Sequence, residues 1–338
     1  MPANNKFVKT ALLIAALLGF NSARADVPPE SLRAPFQKAL AGKKVAFLPL
    51  AMGFDLTEGW ASVLRAGAAK YGFTLIIKDP NWSTEAQAQA LSALIADKPD
   101  ILLVQNPNVT LLAQLTKRAQ AEGIKVIQVN MKSIAESDAY VGADWIDIGE
   151  LTARRIVQDC GKSKGKSGKV ALIYGAATAA ASVWQLDAAT REFDKNKNEI
   201  EVVAAQSAGE WDASKAKTIT ETVMQQHKDL CGIYGFWDVM MKGAAETVKQ
   251  SKRDVKIFTS GGGTTLDCDG VRDGLFHYVL SYDTLNQGRD IMSAIEILLQ
   301  QNAKPGTFHF ALYTPLIEIT KDKLDPKICW DPKNLARK

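Results

Sequence analysis

The chain has 338 residues, with 41 Lys and Arg against 37 Asp and Glu and a formal net charge of +4. This length is enough for two domains of roughly 100–200 residues each. The nearly balanced charge gives no reason to expect nucleic acid as a partner. The one basic run, at residues 162–169, has no interleaved aromatic residues and precedes a predicted strand, so we interpret it as a solvated loop.

The N-terminus has the pattern of an export signal. Lys6 and Lys9 precede a short apolar run at residues 11–20, and an A-x-A cleavage motif follows at residues 23–25. An apolar run of about ten residues is too short for a bilayer, which needs roughly 20. We expect residues 1–25 to be removed, which leaves 38 basic against 37 acidic residues. The sequence therefore predicts an exported, periplasmic protein.

After Lys43, short β-rich runs alternate with helical patterns, which is typical of βαβ units and a parallel sheet. The first series predicts strands at residues 44–50, 73–78, 100–105 and 124–129, and helices at 57–71, 84–96 and 109–121. A second series, after a polar passage at 132–138, predicts strands at 140–142, 169–174, 201–206, 232–236, 255–260 and 278–282. Its helices are expected at 146–158, 182–195, 213–227, 240–250, 266–273 and 285–301, and a last apolar segment at 308–319. The predicted fold class is α/β with two doubly wound lobes.

Ligands of open α/β sheets bind in the crevice outside the carboxyl ends of the strands. Four large aromatic residues fall at these predicted ends: Trp82, Trp211, Trp237 and Tyr282. Several aromatic rings at one sheet edge favour a pocket over ordinary core, because their faces pack against the C–H faces of small ligands. Trp60 and Trp330 lack this placement and are assigned to packing, and Trp145 is intermediate.

Motifs for catalysis, nucleotides and metals are not found in the sequence. The turn at residues 261–263 follows a strand but lacks the Lys-Ser/Thr of a P-loop and the spacing of a dinucleotide fingerprint, so we interpret it as a turn that lines a pocket. There is no G-x-S-x-G motif, and the acidic run at 267–270 lacks the closing Glu of a calcium loop. We expect a protein that is not an enzyme and has no cofactor or metal.

Four cysteines, Cys160, Cys231, Cys268 and Cys329, are spaced too widely for a zinc site. In an oxidising compartment they allow three disulfide pairings. Cys160 follows a predicted helix and Cys231 precedes a predicted strand, which places both at the pole of the second lobe opposite the strand ends. We favour their pairing, although the sequence leaves the other two open.

Several segments together resemble the ribose-type (type I) periplasmic solute-binding proteins of ABC importers. They are residues 101–107, 122–127, 140–144, 168–171, 211–212 and 272–274. The resemblance implies two Rossmann-like lobes joined by a three-segment hinge, with crossings near 131–135, 280–284 and 311–315. The implied N-terminal lobe is 26–131 plus 283–312, and the C-terminal lobe is 132–282 plus 313–338. It also implies a monomer that captures a small molecule by hinge closure and delivers it to an ABC permease.

The resemblance and the strand-end positions together give the candidate ligand-binding residues. They are Phe54, Leu56, Trp82, Asn108, Asn130, Gln185, Trp211, Trp237, Asp238, Gly261, Tyr282 and Asp283. Asn130 stands where sugar binders often have an Asp, Gln185 aligns with an Arg, and Gly261 aligns with an Asp. Because charged hydrogen bonds contribute roughly 1.5–3 kcal/mol each, their loss predicts a ligand less hydroxylated or more apolar than ribose, such as a polyol, a deoxy sugar or an aromatic or cyclic compound. The alternative is a periplasmic sensor that presents its closed form to a histidine-kinase receptor.

Overall fold

The apolar runs form two six-stranded sheets in a computed structural model that describes residues 30–335. The strands of the first sheet are β1 (Lys44–Leu48), β2 (Thr74–Ile77), β3 (Ile101–Val104), β4 (Lys125–Val129), β5 (Ala139–Gly142) and β11 (Phe310–Tyr313). Those of the second are β6 (Lys169–Tyr174), β7 (Glu201–Ser207), β8 (Gly232–Gly235), β9 (Lys256–Gly261), β10 (Tyr278–Ser281) and β12 (Ile317–Ile319). The predicted signal peptide, residues 1–25, lies outside the described residues.

Within the described residues, ten α-helices cover the sheets. They are α1 (Arg33–Leu40), α2 (Asp55–Tyr71), α3 (Thr84–Ala96), α4 (Ala113–Ala121), α5 (Trp145–Cys160), α6 (Ala180–Lys195), α7 (Ala213–Gln226), α8 (Asp238–Gln250), α9 (Thr265–Arg272) and α10 (Thr284–Gln300). In the part of the chain from residue 30 to residue 335, none of them combines the length and the apolar character that a membrane crossing requires. Helix α1, which packs on α10, was not predicted.

The sheet order confirms the predicted α/β fold with two doubly wound lobes. The first sheet has the order β11-β5-β4-β3-β1-β2 and the second has β12-β10-β9-β8-β6-β7. All neighbours run parallel except β10 and β12. The central strands β3, β8 and β10 are buried at every position, as expected for strands that helices cover on both faces.

One expected lobe boundary is wrong. Strand β5 was placed in the second lobe, but it pairs in parallel with β4 and with β11, so the chain does not leave the first lobe at residues 131–135. The polar passage at 132–138 is a loop of the first lobe, in which Asp138 accepts hydrogen bonds from Val126 N and Gly306 N. The three connections between the lobes are residues 143–144, 282–283 and 314–316.

Two disulfides tie elements of the second lobe. Cys160 at the end of α5 is bonded to Cys231 just before β8, which confirms the favoured pairing. Cys268 in α9 is bonded to Cys329 in the C-terminal segment. The second bond secures the segment that carries Trp330, whose indole nitrogen donates a hydrogen bond to Gly262 O at 3.0 Å.

Removing the first disulfide is expected to destabilise the second lobe. Because the bond closes a loop with a sequence separation of 71 residues, the double substitution Cys160→Ser with Cys231→Ser should lower the free energy of unfolding by about 2–4 kcal/mol. Urea unfolding followed by circular dichroism measures the difference. An unchanged unfolding midpoint, with Cys268 and Cys329 shown by mass spectrometry to remain bonded, would contradict the expectation.

Candidate ligand-binding cleft

A cavity lies between the carboxyl ends of the two sheets and encloses about 380 Å³ of space between atoms, part of it open to solvent. Its lining residues come from both lobes and from the connections between them. They are Leu50, Phe54, Leu56, Trp82, Gln105, Asn130, Met131, Trp145, Ala181, Trp211, Phe236, Trp237 and Tyr282. More than half of these carry aromatic rings, and none of these described residues is charged. The cavity therefore suits a small ligand with apolar faces.

Aromatic rings of the two lobes meet directly across this cavity. Phe54, just before α2, stacks on Trp82 with ring centres 5.1 Å apart. It also meets the edge of Trp237, which belongs to the second lobe, at 6.1 Å. Trp237 in turn lies 6.1 Å from Trp211 at an interplanar angle of 88°. The chain of rings links the lobes through apolar contacts.

Backbone in the left-handed region places several of these side chains. Trp82, Asn130 and Trp211 have φ values of 65°, 57° and 64°, which residues other than glycine adopt rarely. Trp211 also packs so tightly on Gly175 that a Cβ there would lie 2.2 Å from its ring. Such conformations persist only where the surroundings enforce them, and they are common at binding sites.

Asn130 connects the floor of the cavity to the hinge. Its side-chain oxygen accepts hydrogen bonds from Ala143 N at 3.1 Å and from Gln287 Nε2 at 3.2 Å. Its backbone oxygen accepts one from Trp145 Nε1 at 2.6 Å. The Trp145 ring lies 5.5 Å from that of Tyr282 in the second connection. A ligand on this floor would therefore touch residues that join the lobes.

One buried donor in the wall has no partner within the protein. Gln105 accepts a hydrogen bond from Leu50 N at 3.0 Å through Oε1, whereas its buried Nε2 donates none within the described residues. Leaving a buried polar group unpaired costs about 1–3 kcal/mol. A hydrogen-bond acceptor on a ligand would relieve this cost.

The structure brings most of the predicted site residues together. Those that line the cavity are Phe54, Leu56, Trp82, Asn130, Trp211, Trp237 and Tyr282. Asp238 lines an adjoining cavity. The lining residues that sequence reasoning did not select are Leu50, Gln105, Met131, Trp145, Ala181 and Phe236. The only sequence signal for Gln105 was a polar residue at the end of an apolar strand.

Three predicted residues lie elsewhere. Gln185 is buried in the second lobe, where its Oε1 accepts a hydrogen bond from the Tyr234 hydroxyl at 2.6 Å. Asn108 accepts hydrogen bonds from Thr110 N and Leu111 N and so holds the turn before α4. Asp283 caps α10 through Asn286 N. Their side chains form hydrogen bonds with neighbouring groups of the protein. A position after a strand does not reveal such hydrogen bonds.

Gly261 also does not line the cavity, because two buried carboxyl groups lie against it. A Cβ at Gly261 would lie 2.4 Å from Asp267 Oδ1 and 2.8 Å from Asp238 Cγ. Burial raises the pKa of Asp267 to about 6, although a hydrogen bond from Gly263 N opposes the rise. Burial, and then repulsion by Asp267, raise the pKa of Asp238 well above its usual range.

A family model described as a periplasmic binding protein domain matches residues 45–303. The chain belongs to this family. The ribose import binding protein of Bacillus subtilis is 27% identical over 201 residues, which are 58% of this chain and 62% of that protein. The chain thus matches less than two thirds of the length of this curated relative.

Solved structures share the fold. A solute-binding protein from Burkholderia graminis in complex with D-arabinose has a TM-score of 0.74 at 20% identity, with coverage of 85% of this chain and 98% of that one. The fructose-binding periplasmic domain of a hybrid two-component system has a TM-score of 0.72 at 18% identity, with coverage of 83% and 92%.

The carboxyl pair should make the stability of this periplasmic binding protein depend on pH. The pKa of Asp267 is raised from 3.8 to about 6, so between these values the folded protein holds a proton that the unfolded chain releases. Its contribution to the free energy of unfolding is therefore largest at low pH and is lost as the pH rises through about 6. Because the pKa of Asp238 is raised as well, Asp238→Asn should remove the dependence that this group contributes and raise the melting temperature at pH 7 relative to wild type.

Melting temperatures of wild type and Asp238→Asn between pH 4 and 8 test the expectation. Asp187→Asn, at an exposed position on α6, is the control for loss of one negative charge. Parallel curves of melting temperature against pH for wild type and Asp238→Asn would contradict the expected contribution of Asp238.

Proposed function

We propose that this protein is the periplasmic solute-binding component of an ABC importer, which closes its lobes over one small molecule and presents the closed form to a permease. The observation that carries the proposal is the cavity between the lobes, whose walls come from both of them. A ligand that contacts both lobes binds the closed form better than the open one and so shifts the population towards it. Family membership, the ribose import protein among the relatives and the predicted signal at residues 1–25 support this role.

The lobes are in contact at the rim of the cleft, which is the arrangement that a bound ligand would favour. Val109 N of the first lobe donates a hydrogen bond to Thr178 O of the second at 3.0 Å. Lys132 Nζ lies 5.0 Å from the ring centre of Trp184 on α6. A ligand that touches both lobes adds its own contacts to these in the closed form.

The lining argues for a small sugar-like, polyol or aromatic or cyclic ligand. Aromatic faces pack on the C–H faces of rings, and the Gln105 amide offers a donor to a hydroxyl or ether oxygen. No charged side chain of the described residues lines this cavity. The site therefore recognises its ligand by shape and apolar contact with a few neutral hydrogen bonds, and we propose no covalent chemistry.

A sensor is the second candidate, because the fold neighbours include the sugar-binding domain of a two-component system. A sensor would bind the same ligand and close in the same way as an importer component. The two differ only in the membrane protein that receives the closed form. Ligand-dependent stimulation of ATP hydrolysis by a reconstituted permease supports the importer. Stimulation of a histidine kinase in its place would support the sensor.

A thermal-shift screen against sugars, polyols and small aromatic compounds should identify the ligand class. A ligand that binds only the folded protein stabilises it by about 2.7 kcal/mol at a concentration of 100 Kd. We expect at least one neutral or partly apolar cyclic compound to raise the melting temperature. A screen in which only dicarboxylates or phosphorylated sugars raise it would contradict the proposed ligand class.

Trp211→Ala should weaken binding of the identified ligand at least tenfold, because the ring forms one wall of the cavity and contacts Trp237. Calorimetry measures the affinity, and far-UV circular dichroism checks that the fold is intact. The matched control is Phe308→Ala, which removes a ring outside the cavity that is 39% exposed. Equal affinities for wild type and Trp211→Ala would remove this residue from the site.

A further inference from the structure

A second cavity adjoins the aromatic one and encloses about 590 Å³ between atoms, part of it open to solvent. The two share Phe54, Leu56, Trp237 and Tyr282, so their spaces lie on either side of the same aromatic side chains. The second cavity is also lined by Gly53, Asp55, Asp238, Val239, Gly262 and Thr264. We name it the acidic side cavity. Nothing in the function proposed above uses it.

The chemistry of this cavity differs from that of its neighbour. It has two carboxyl groups, Asp55 from α2 of the first lobe and Asp238 from α8 of the second, and no Lys, Arg or His among the described residues that line it. Asp331 faces Asp55, and Asp267 faces Asp238. None of these four carboxyl groups takes part in a salt bridge within residues 30–335. No Lys, Arg or His side chain of the described residues that line the cavity therefore compensates these carboxyl groups when they ionise.

A buried oxygen in the wall also lacks a partner. Asp238 is 1% exposed, and its Oδ1 forms no hydrogen bond with any described residue. Thr284 Oγ1, which would lie 2.6 Å from a Cβ at Gly262, is likewise buried and unpaired. A carboxylate oxygen accepts hydrogen bonds and donates none. A hydrogen-bond donor would therefore complete this site, and a positive charge on that donor would favour the ionised forms of Asp55 and Asp238.

An organic cation fits the walls better than a metal ion. No group of three or more His, Cys, Asp or Glu residues in the described part of the chain is arranged to hold a metal. Phe54, Trp237 and Tyr282 present aromatic rings to the cavity. Aromatic faces attract ammonium groups, and the attraction is stronger where water is excluded.

We propose that the acidic side cavity binds a protonated amine of the ligand while the ring of the same ligand lies in the aromatic cavity. The ligand class is then a small cyclic, sugar-like or polyol compound that carries an ammonium group. This inference rests on the proposed function and narrows it. Asp55 and Asp238 belong to different lobes, and in the closed form the charge of Asp55 opposes ionisation of Asp238. An ammonium group between them removes the repulsion, whereas a neutral ligand leaves it in place, so the cation makes closure selective.

Matched pairs of an amine and its hydroxyl counterpart test the inference. The probes are D-glucosamine with D-glucose, D-galactosamine with D-galactose, and cyclohexylamine with cyclohexanol, titrated into the full mature protein at pH 7 in a calorimeter. We expect at least one amine to bind tenfold or more tightly than its counterpart. Asp55→Asn should lower the affinity for that amine at least fivefold and leave the affinity for the counterpart unchanged or improved.

Glu85→Gln is the matched control, because it removes a first-turn carboxylate from another helix of the first lobe that lines neither cavity at this position. The ammonium site would be overturned if the neutral compounds bound as tightly as their amines. It would also be overturned if Asp55→Asn changed the affinity for both members of a pair equally. Either result would leave the proposed function standing. Absence of binding by every probe and by every compound of the thermal-shift screen would overturn the proposed function and this inference with it. Circular dichroism on Asp55→Asn separates loss of binding from loss of fold.

Discussion

The contact between aromatic rings of the two lobes is the interaction on which the rest of the site depends. Phe54 stacks on Trp82 and meets Trp237 across the cleft, so closing the lobes removes apolar faces from water. Burial of apolar surface contributes about 25 cal/mol per Å² and is not directional. Closure driven in this way needs no charged partners in the aromatic cavity. The orientation of the ligand and the selectivity of binding must therefore come from the few polar groups at the edges of this cavity.

Those polar groups fall into two kinds that act differently. Gln105 offers an unpaired neutral donor inside the aromatic cavity. Asp55 and Asp238 bring carboxyl groups from opposite lobes together beside it, where the charge of Asp55 opposes ionisation of Asp238. The first favours any ligand with a suitably placed oxygen, whereas the second opposes closure until something compensates it. Apolar attraction and carboxylate repulsion thus work against each other in the empty protein, which keeps closure dependent on the ligand.

The sequence predicted the fold well because continuous apolar runs alternate with helical periodicity. It did not predict which sheet receives a short strand: β5 looks the same in either lobe, and only its pairing with β4 and β11 decides. The candidate site was also predicted from position along the chain. Position after a strand correctly indicated Trp82, Trp211 and Trp237 as cavity residues, because parallel strands end at one edge.

Side-chain direction was harder to predict than position. Gln185 turns towards the Tyr234 hydroxyl and Asp283 towards the start of α10, because both satisfy local hydrogen bonds. Gln105 was predicted as the last residue of a strand. A sequence pattern does not show which side-chain donors are left without a hydrogen-bond partner in the folded protein. Such a residue becomes visible only when all the hydrogen bonds around it are known.

The floor of the cavity explains why recognition and lobe movement are one event in this protein. Asn130 holds Ala143 of the first connection and Gln287 of α10, while its backbone holds Trp145. Tyr282 of the second connection packs on Trp145. A ligand that contacts this floor lies against the residues whose hydrogen bonds join it to the first connection and to α10. Changes at Asn130 must therefore alter affinity and closure together, because one side chain lines the cavity and holds the first connection.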